Sequence, residues 1–212
     1  MSKRGIGLAL MFFAISCTMT SCCKVVKIGE EDKLLGNTKF DADAEIEGIW
    51  STKVIPELMG KAVSLSDLYR DANGDYGTVS NRGRYTMGDS GELNFTVKGT
   101  AIIKEAQVDK KAGYIIVEVD GISSDQEFRF QVGPLFKGTA VRDNLTCISY
   151  DQFKNQVQWA SISQALHNQI LSKVLKGIDF TTLIGKRVRF VGCMTITSGG
   201  PLNITPVKIE VE

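Results

Sequence analysis

The residues best suited to chemistry in this 212-residue chain lie between Gly133 and Trp159. Gly133 and Gly138 bracket a sharp turn, and Arg142-Asp143 follows within a few residues. An arginine so placed can offer a planar fork of donors to a carboxylate, a phosphate or a pair of sugar hydroxyls. Asn155, Gln156 and Trp159 follow downstream. They add amide groups and a flat ring, the groups that carbohydrate sites employ. A structural role carries more weight for Arg142, which can pair with Asp151 or another carboxylate and pin the turn against the helix that follows. Amides that open a helix also serve as ordinary caps. Binding and structure separate on one substitution. If Arg142 binds a ligand, Arg142→Ala abolishes binding and leaves the melting temperature nearly unchanged; if it is structural, the fold loses stability. A glycan hydrolase would need two carboxylates ~5–10 Å apart across a cleft. Asp143 and Asp151 are the one pair to test, and this reading ranks last.

Other constellations dissolve on inspection. Asp71-Ala72-Asn73-Gly74-Asp75 begins like a calcium loop, but Tyr76 stands where that loop needs glycine and Arg82 where it needs a bidentate glutamate. The stretch reads as a turn. His167 is the only histidine, too few for a metal site or a Ser-His-Asp relay resting on partners of its kind. Its neighbours Asn168 and Gln169 suggest an exposed helix face, and it receives no role. Cys147 and Cys193 both sit in strand-like runs and can form a disulfide in an exported protein; two separate buried thiols are slightly preferred. No phosphate loop, nucleophile elbow or zinc spacing occurs. The expectation is a protein that is not an enzyme and uses no cofactor or metal.

The first residues say where the protein works. Lys3 and Arg4 precede an apolar run from Ile6 to Ile15, and the stretch ends in Met19-Thr20-Ser21-Cys22. This is the layout of a bacterial lipoprotein signal, too short to span a bilayer, which takes ~20 apolar residues. Residues 1–21 are the expected signal. Cys22 is the expected lipidated residue, with Cys23 as runner-up, and several acyl chains suffice for stable anchoring. In a bacterial lipoprotein, the Asn-x-Thr triplets at Asn94, Asn144 and Asn203 are chance. Losing Lys3 and Arg4 takes the chain from +1 to about −1. Near-neutrality gives no reason to expect nucleic acid as a partner. The expected contacts are the membrane, through the lipid, and partners in the periplasm or at the cell surface.

Residues 22–39 read as a polar tether, and 40–212 as a single domain. Phe40 to Trp50 favours a helix, and Val54, Ile55, Leu58 and Met59 continue its apolar face past a kink or restart at Pro56. Ser64 caps a short helix through Tyr69, and 73–91 reads as loop. From Leu93 the period changes to two. Leu93–Val97, Tyr114–Val119, Glu127–Val132 and Leu145–Tyr150 read as strands. A long helix begins near Asp151, capped by Ser149 or Asp151. Phe153, Val157, Ala160, Ile162, Leu166, Ile170 and Val174 form its apolar stripe, and Gly177 ends it. Arg187–Thr197 and Leu202–Val211 close the chain as a hairpin. The fold class is α+β, mainly β with helices: a small OB-like antiparallel barrel with N-terminal helices and one long helix before the last two strands.

The chain resembles a family of predicted periplasmic lipoproteins of unknown function. The resemblance runs in order through Cys23-Lys24-Val25-Val26-Lys27-Ile28, Gly48-Ile49-Trp50, Lys53-Val54-Ile55-Pro56 and Val97-Lys98-Gly99. It continues through Gly133-Pro134, Gly138-Thr139-Ala140-Val141-Arg142-Asp143, Phe153-Lys154-Asn155-Gln156, Gly185-Lys186-Arg187-Val188 and Ile204-Thr205-Pro206-Val207. The family pattern has one cysteine before Lys-Val-Val where this chain has Cys22-Cys23. The resemblance implies an OB-like core and frequent encoding beside ABC importers for ribose-like sugars. It implies no activity and no catalytic residues. The functional expectation is a non-catalytic, lipid-anchored envelope protein that assists carbohydrate import by binding a transporter component or a sugar. Arg142, Asp143, Asn155, Gln156 and Trp159 are the expected site. The alternative is an interaction module with no small ligand.

Overall fold

The long central strand organises everything else. In the computed structural model, which describes residues 40–87, 90–197 and 199–212, strand β3 runs from Ser90 to Gln107. The expected signal, the lipidated Cys22 or Cys23 and the tether lie outside the described residues. Elements before β3 are helix α1 (Ala42–Ile49), a π turn (Trp50–Val54), α2 (Ile55–Lys61), the two-residue β1 (Val63–Ser64), α3 (Leu65–Ala72), a 3-10 stretch (Tyr76–Arg82) and β2 (Arg84–Met87). After it come β4 (Tyr114–Val119), β5 (Phe128–Gln131), α4 (Ala140–Asn144), a 3-10 turn (Tyr150–Gln152), α5 (Gln156–Gln169), a second π turn (Ile170–Val174), a 3-10 turn (Phe180–Leu183), β6 (Arg187–Thr195) and β7 (Leu202–Val211).

Strand pairing makes a circuit. The C-terminal half of β3 pairs with β4, β4 with β5, β5 with β7, β7 with β6, and β6 returns to β3 at Asn94–Ile102. The ring is OB-like. Its weakest joint is β5 with β7, where three residue pairs run parallel, Phe128 to Leu202 through Phe130 to Ile204. The expected OB-like antiparallel barrel stands, with a short parallel pairing there and another at β1, which pairs parallel with β3. A shift of register between Ile103 and Glu105 lets β3 turn from one partner to the next. Gly99 sits at a close approach: a Cβ there would meet the Phe190 ring at 3.3 Å. Phe190 packs at a tilt against Phe130 inside the ring, centroids 4.6 Å apart.

Helical expectations hold where local chemistry is strong. Asp41 caps α1 by accepting from the amides of Asp43 and Ala44, both at 3.1 Å. Ser64 caps α3 by accepting from Asp67 N. Pro56 stands in the first turn of α2, where it sacrifices no hydrogen bond. Met59, expected on the apolar face, is instead exposed.

Other expectations fail for physical reasons. Part of the 73–91 loop is β2, an edge strand pairing antiparallel with β3. Leu145–Tyr150 is no strand, because side chains take the backbone groups that a neighbouring strand would need. The long helix starts at Gln156, not Asp151, and Asn155 is its cap. Ser149 instead forms a capping box with Gln152 on the preceding turn. Val157 points outward and is exposed, whereas His167, expected on an exposed face, is buried with its ring 4.9 Å from that of Phe136. Burial and then the nearby Arg142 charge push the His167 pKa down to about 4.

Candidate functional site

The short helix α4 carries the Arg142-Asp143 pair into the interior. Arg142 donates from Nε at 2.8 Å and from Nη2 at 2.7 Å to Asp143 Oδ1. The other carboxylate oxygen accepts from the Thr139 hydroxyl. Both side chains are nearly buried, 10% and 3% exposed. Arg142 therefore pins the turn as the structural reading held, with Asp143 as its carboxylate rather than Asp151. It also reaches the long helix: Nη1 donates to Trp159 O at 3.4 Å, and the guanidinium lies 4.4 Å from the Trp159 ring centroid. Removing one member of such a pair strands a buried charge. Arg142→Ala must then lower the melting temperature, whatever it does to binding.

Trp159 is held as firmly. Its ring meets Phe153 at 5.5 Å and the edge of Tyr150 at 6.0 Å, and Phe153 in turn meets Phe40 at 5.7 Å. With Arg142 over it, the indole is part of the cleft wall and not an open stacking platform. The exposed ring here is Tyr150, at 45%. Asn155 is committed as well, since its Oδ1 accepts from Gln158 N at 2.9 Å. Gln156, the first residue of α5, is exposed and faces the opening.

These side chains border a cleft of about 550 Å³, within the range of small-molecule sites. Of the expected residues, Arg142, Asp143, Gln156 and Trp159 line it, and Asn155 does not. Asp151 is exposed and does not line it either, so the carboxylate pair weighed for hydrolysis is not brought together there. The sequence reading missed Arg84, Thr86, Ser149 and Tyr150, which complete the lining together with the buried Leu145 and Ile148. Arg84 went unseen because its strand looked like loop, and Tyr150 because it read as the end of a strand.

The wall from Leu145 to Ser149 is irregular, and side chains from other elements fasten it. Arg84 Nη1 donates to Leu145 O, and Lys61 Nζ to Asn144 O. Glu57 on α2 accepts at Oε1 from Thr146 N at 2.6 Å and Thr146 Oγ1 at 2.8 Å, and at Oε2 from Cys147 N at 2.9 Å. Lys61 donates to the same carboxylate at 2.7 Å. Burial works against the Glu57 charge, but hydrogen bonds from Lys61, Cys147 and Thr146 outweigh it and bring the pKa down to about 2. The Glu57–Lys61 pair has ordinary i, i+4 helix spacing, and nothing in that spacing shows its reach to residue 146.

Cys147 and Cys193 are both free thiols, so the disulfide is absent. Burial, then the facing Glu57 carboxylate, pushes the Cys147 thiol up to about 12. Burial alone dominates the rise at Cys193, also to about 12, against a 3.7 Å contact with the Thr96 hydroxyl. Neither is a ready nucleophile. Among the described residues no group of His, Cys, Asp and Glu could hold a metal, and no helix is long and apolar enough to cross a membrane.

The profile of the family described as Predicted periplasmic lipoprotein (DUF2291) matches residues 12–210. Among solved structures, an OB-fold protein from Thermotoga maritima is similar, with a TM-score of 0.63 at 13% identity. The match covers 82% of this chain and 100% of the other. At that identity the likeness shows the fold. No curated protein matches the chain.

Proposed function

The chain belongs to the family of predicted periplasmic lipoproteins, and on that premise we propose that it is a non-catalytic binding accessory to carbohydrate import. Lipidated Cys22, or Cys23, holds it at the membrane. The cleft between α4, α5 and β2 seats a sugar, alone or presented by a transporter component. The observation that supports this is the make-up of the cleft. Among the described residues its one carboxylate, Asp143, is spent on Arg142 and Thr139, which suits recognition better than proton transfer. Arg84, Gln156 and the half-exposed Tyr150 ring remain to meet hydroxyls and a sugar face.

Thermal melting of the full chain in detergent, against pentoses, hexoses and their phosphates, tests the reading. A saturable rise for one sugar is expected, because a ligand that binds only the native state raises the midpoint by mass action. No shift at millimolar concentrations of any of them counts against it. A second reading, docking of an envelope protein with no small ligand, draws on Tyr150 and Val157, exposed at 45% and 49% beside the cleft. Loss of capture of an importer component on Tyr150→Ala, with no sugar response, is the result that would favour it.

A further inference from the structure

The charges in this cleft do not balance, and the imbalance bears on the kind of sugar. Among the described residues, two guanidinium groups and one carboxylate line it. Arg142 and Asp143 neutralise each other at close range. Arg84 has no carboxylate within ion-pair distance among the described residues; its recorded partner is the neutral carbonyl of Leu145. An arginine has five N–H donors, and that bond uses only Nη1. Among the described residues, the acids nearest it in sequence, Asp75 and Glu92, line a different cleft; Glu57 is matched by Lys61, and Asp151 is exposed and off the lining. A partly enclosed cleft with one surplus positive charge concentrates anions.

We propose that the ligand is an acidic sugar, one carrying a carboxylate or a phosphate, and that Arg84 grips the anionic group. This deepens the sugar-binding reading and rests on it. Arg84 contributes the charged, fork-shaped donor. Gln156 supplies polar contacts to the ring hydroxyls, and Tyr150 the apolar surface. The division of labour explains why the buried Arg142 need not touch the anion: its charge is already matched by Asp143, and it serves to fix the floor beneath it. A larger cleft, about 730 Å³, lies elsewhere between Tyr69, Tyr76 and Gln126. Its charged residues, Asp75 and Glu92, are both acidic, so it is no rival for an anion.

The test is calorimetric titration of the full lipidated chain in detergent with a hexuronate, a hexose phosphate, the matching neutral hexoses and inorganic phosphate. One acidic sugar should bind at least tenfold more tightly than its neutral parent, and the advantage should shrink as salt rises. Whether the uronate or the phosphate wins tells which anionic group is held. Arg84→Gln should cost roughly ten- to a hundredfold, the range for a hydrogen bond to a charged group. Arg84→Lys should recover part of that. If Arg84→Gln loosens the Leu145 wall and fails to fold, Gln156→Glu serves instead. A carboxylate in the first turn of α5 is well placed for helix stability, and it cancels the surplus charge. It should remove the preference for the acidic sugar.

Equal affinity for acidic and neutral sugars, or a preference untouched by both variants, overturns the acidic-ligand inference and leaves the sugar-binding reading standing. Inorganic phosphate binding as tightly as the hexose phosphate also overturns it, since the site would then be for a bare anion. No heat and no shift for any sugar sinks the underlying reading as well.

Discussion

Glu57 should behave as the clamp that holds one wall of the cleft, and replacing it with glutamine tests that. Its carboxylate gathers the Thr146 amide and hydroxyl, the Cys147 amide and the Lys61 ammonium. The carboxyl falls from 4.5 to about 2, and each unit is worth ~1.4 kcal/mol, so the charged form contributes at most ~3 kcal/mol. The side chain is 18% exposed. Screening by water lowers the figure to ~2 kcal/mol. Glu57→Gln keeps the volume but turns amide hydrogens toward donors, and should lose about that amount at pH 7 in urea unfolding. The pH dependence supplies the sharper criterion. Because the folded pKa is depressed, the stabilisation is fully present above the unfolded value near 4.5 and fades as pH falls toward 2. Wild type and variant should therefore differ most at neutral pH and converge in acid. In hydrogen exchange, the amides of Thr146 and Cys147 should lose protection in the variant while those of β3 and β6 keep theirs. A difference below ~0.5 kcal/mol at pH 7, or one that stays constant down to pH 2, would refute the clamp; either is well outside what a ~2 kcal/mol coupling allows.

Three further outcomes follow from the same geometry. Arg142→Ala should cost ~3–5 kcal/mol by stranding the Asp143 charge, and Arg142→Met with Asp143→Asn should recover most of it in the same unfolding assay. His167 is neutral in the fold until about pH 4, whereas an unfolded histidine takes its proton near 6.5. The unfolded state then holds the extra proton between those values, so stability should drop as pH falls from 6.5 to 4, and His167→Gln should flatten that part of the curve. Gly133→Ala should cost at least ~2 kcal/mol in thermal melting, because the added Cβ would lie 2.1 Å from Gly113 N, a backbone atom that cannot step aside.

The parts of the fold that sequence revealed are those governed by local rules. Ser64 caps as its side chain dictates. The closing hairpin announces itself through Gly199 and Gly200, whose φ values of +74° and +79° few other residues would accept. Alternation exposed β4 and the Leu93–Val97 part of β3. What stayed hidden depended on partners distant in the chain. Leu145–Tyr150 has the apolar content of a strand, yet Glu57 and Arg84 take its backbone groups. No periodicity records a carboxylate 89 residues away. Asn94 and Thr96 looked like the solvent face of a half-buried strand. Both are buried, with Asn94 bonded to Thr86 and Thr195.

At the site, Arg142 and Trp159 were legible as chemically capable residues. That they would satisfy each other was not, because stacking across 17 positions depends on how α4 meets α5. Arg84 could have been found only by recognising 84–87 as an edge strand. The cue was modest: Tyr85 followed by Met87 between polar residues, opposite a strong strand beginning at Leu93.

The most direct test of the account watches the two tryptophans. Trp159 lines the cleft, while Trp50 is buried in the core, 3% exposed. Indole N–H signals followed by nuclear magnetic resonance, during titration of the full chain in detergent with acidic and neutral sugars, separate the two. The account predicts that the Trp159 signal moves and saturates with one sugar while the Trp50 signal stays put. A sugar that saturably raises the melting temperature yet leaves Trp159 still would place binding elsewhere and contradict it.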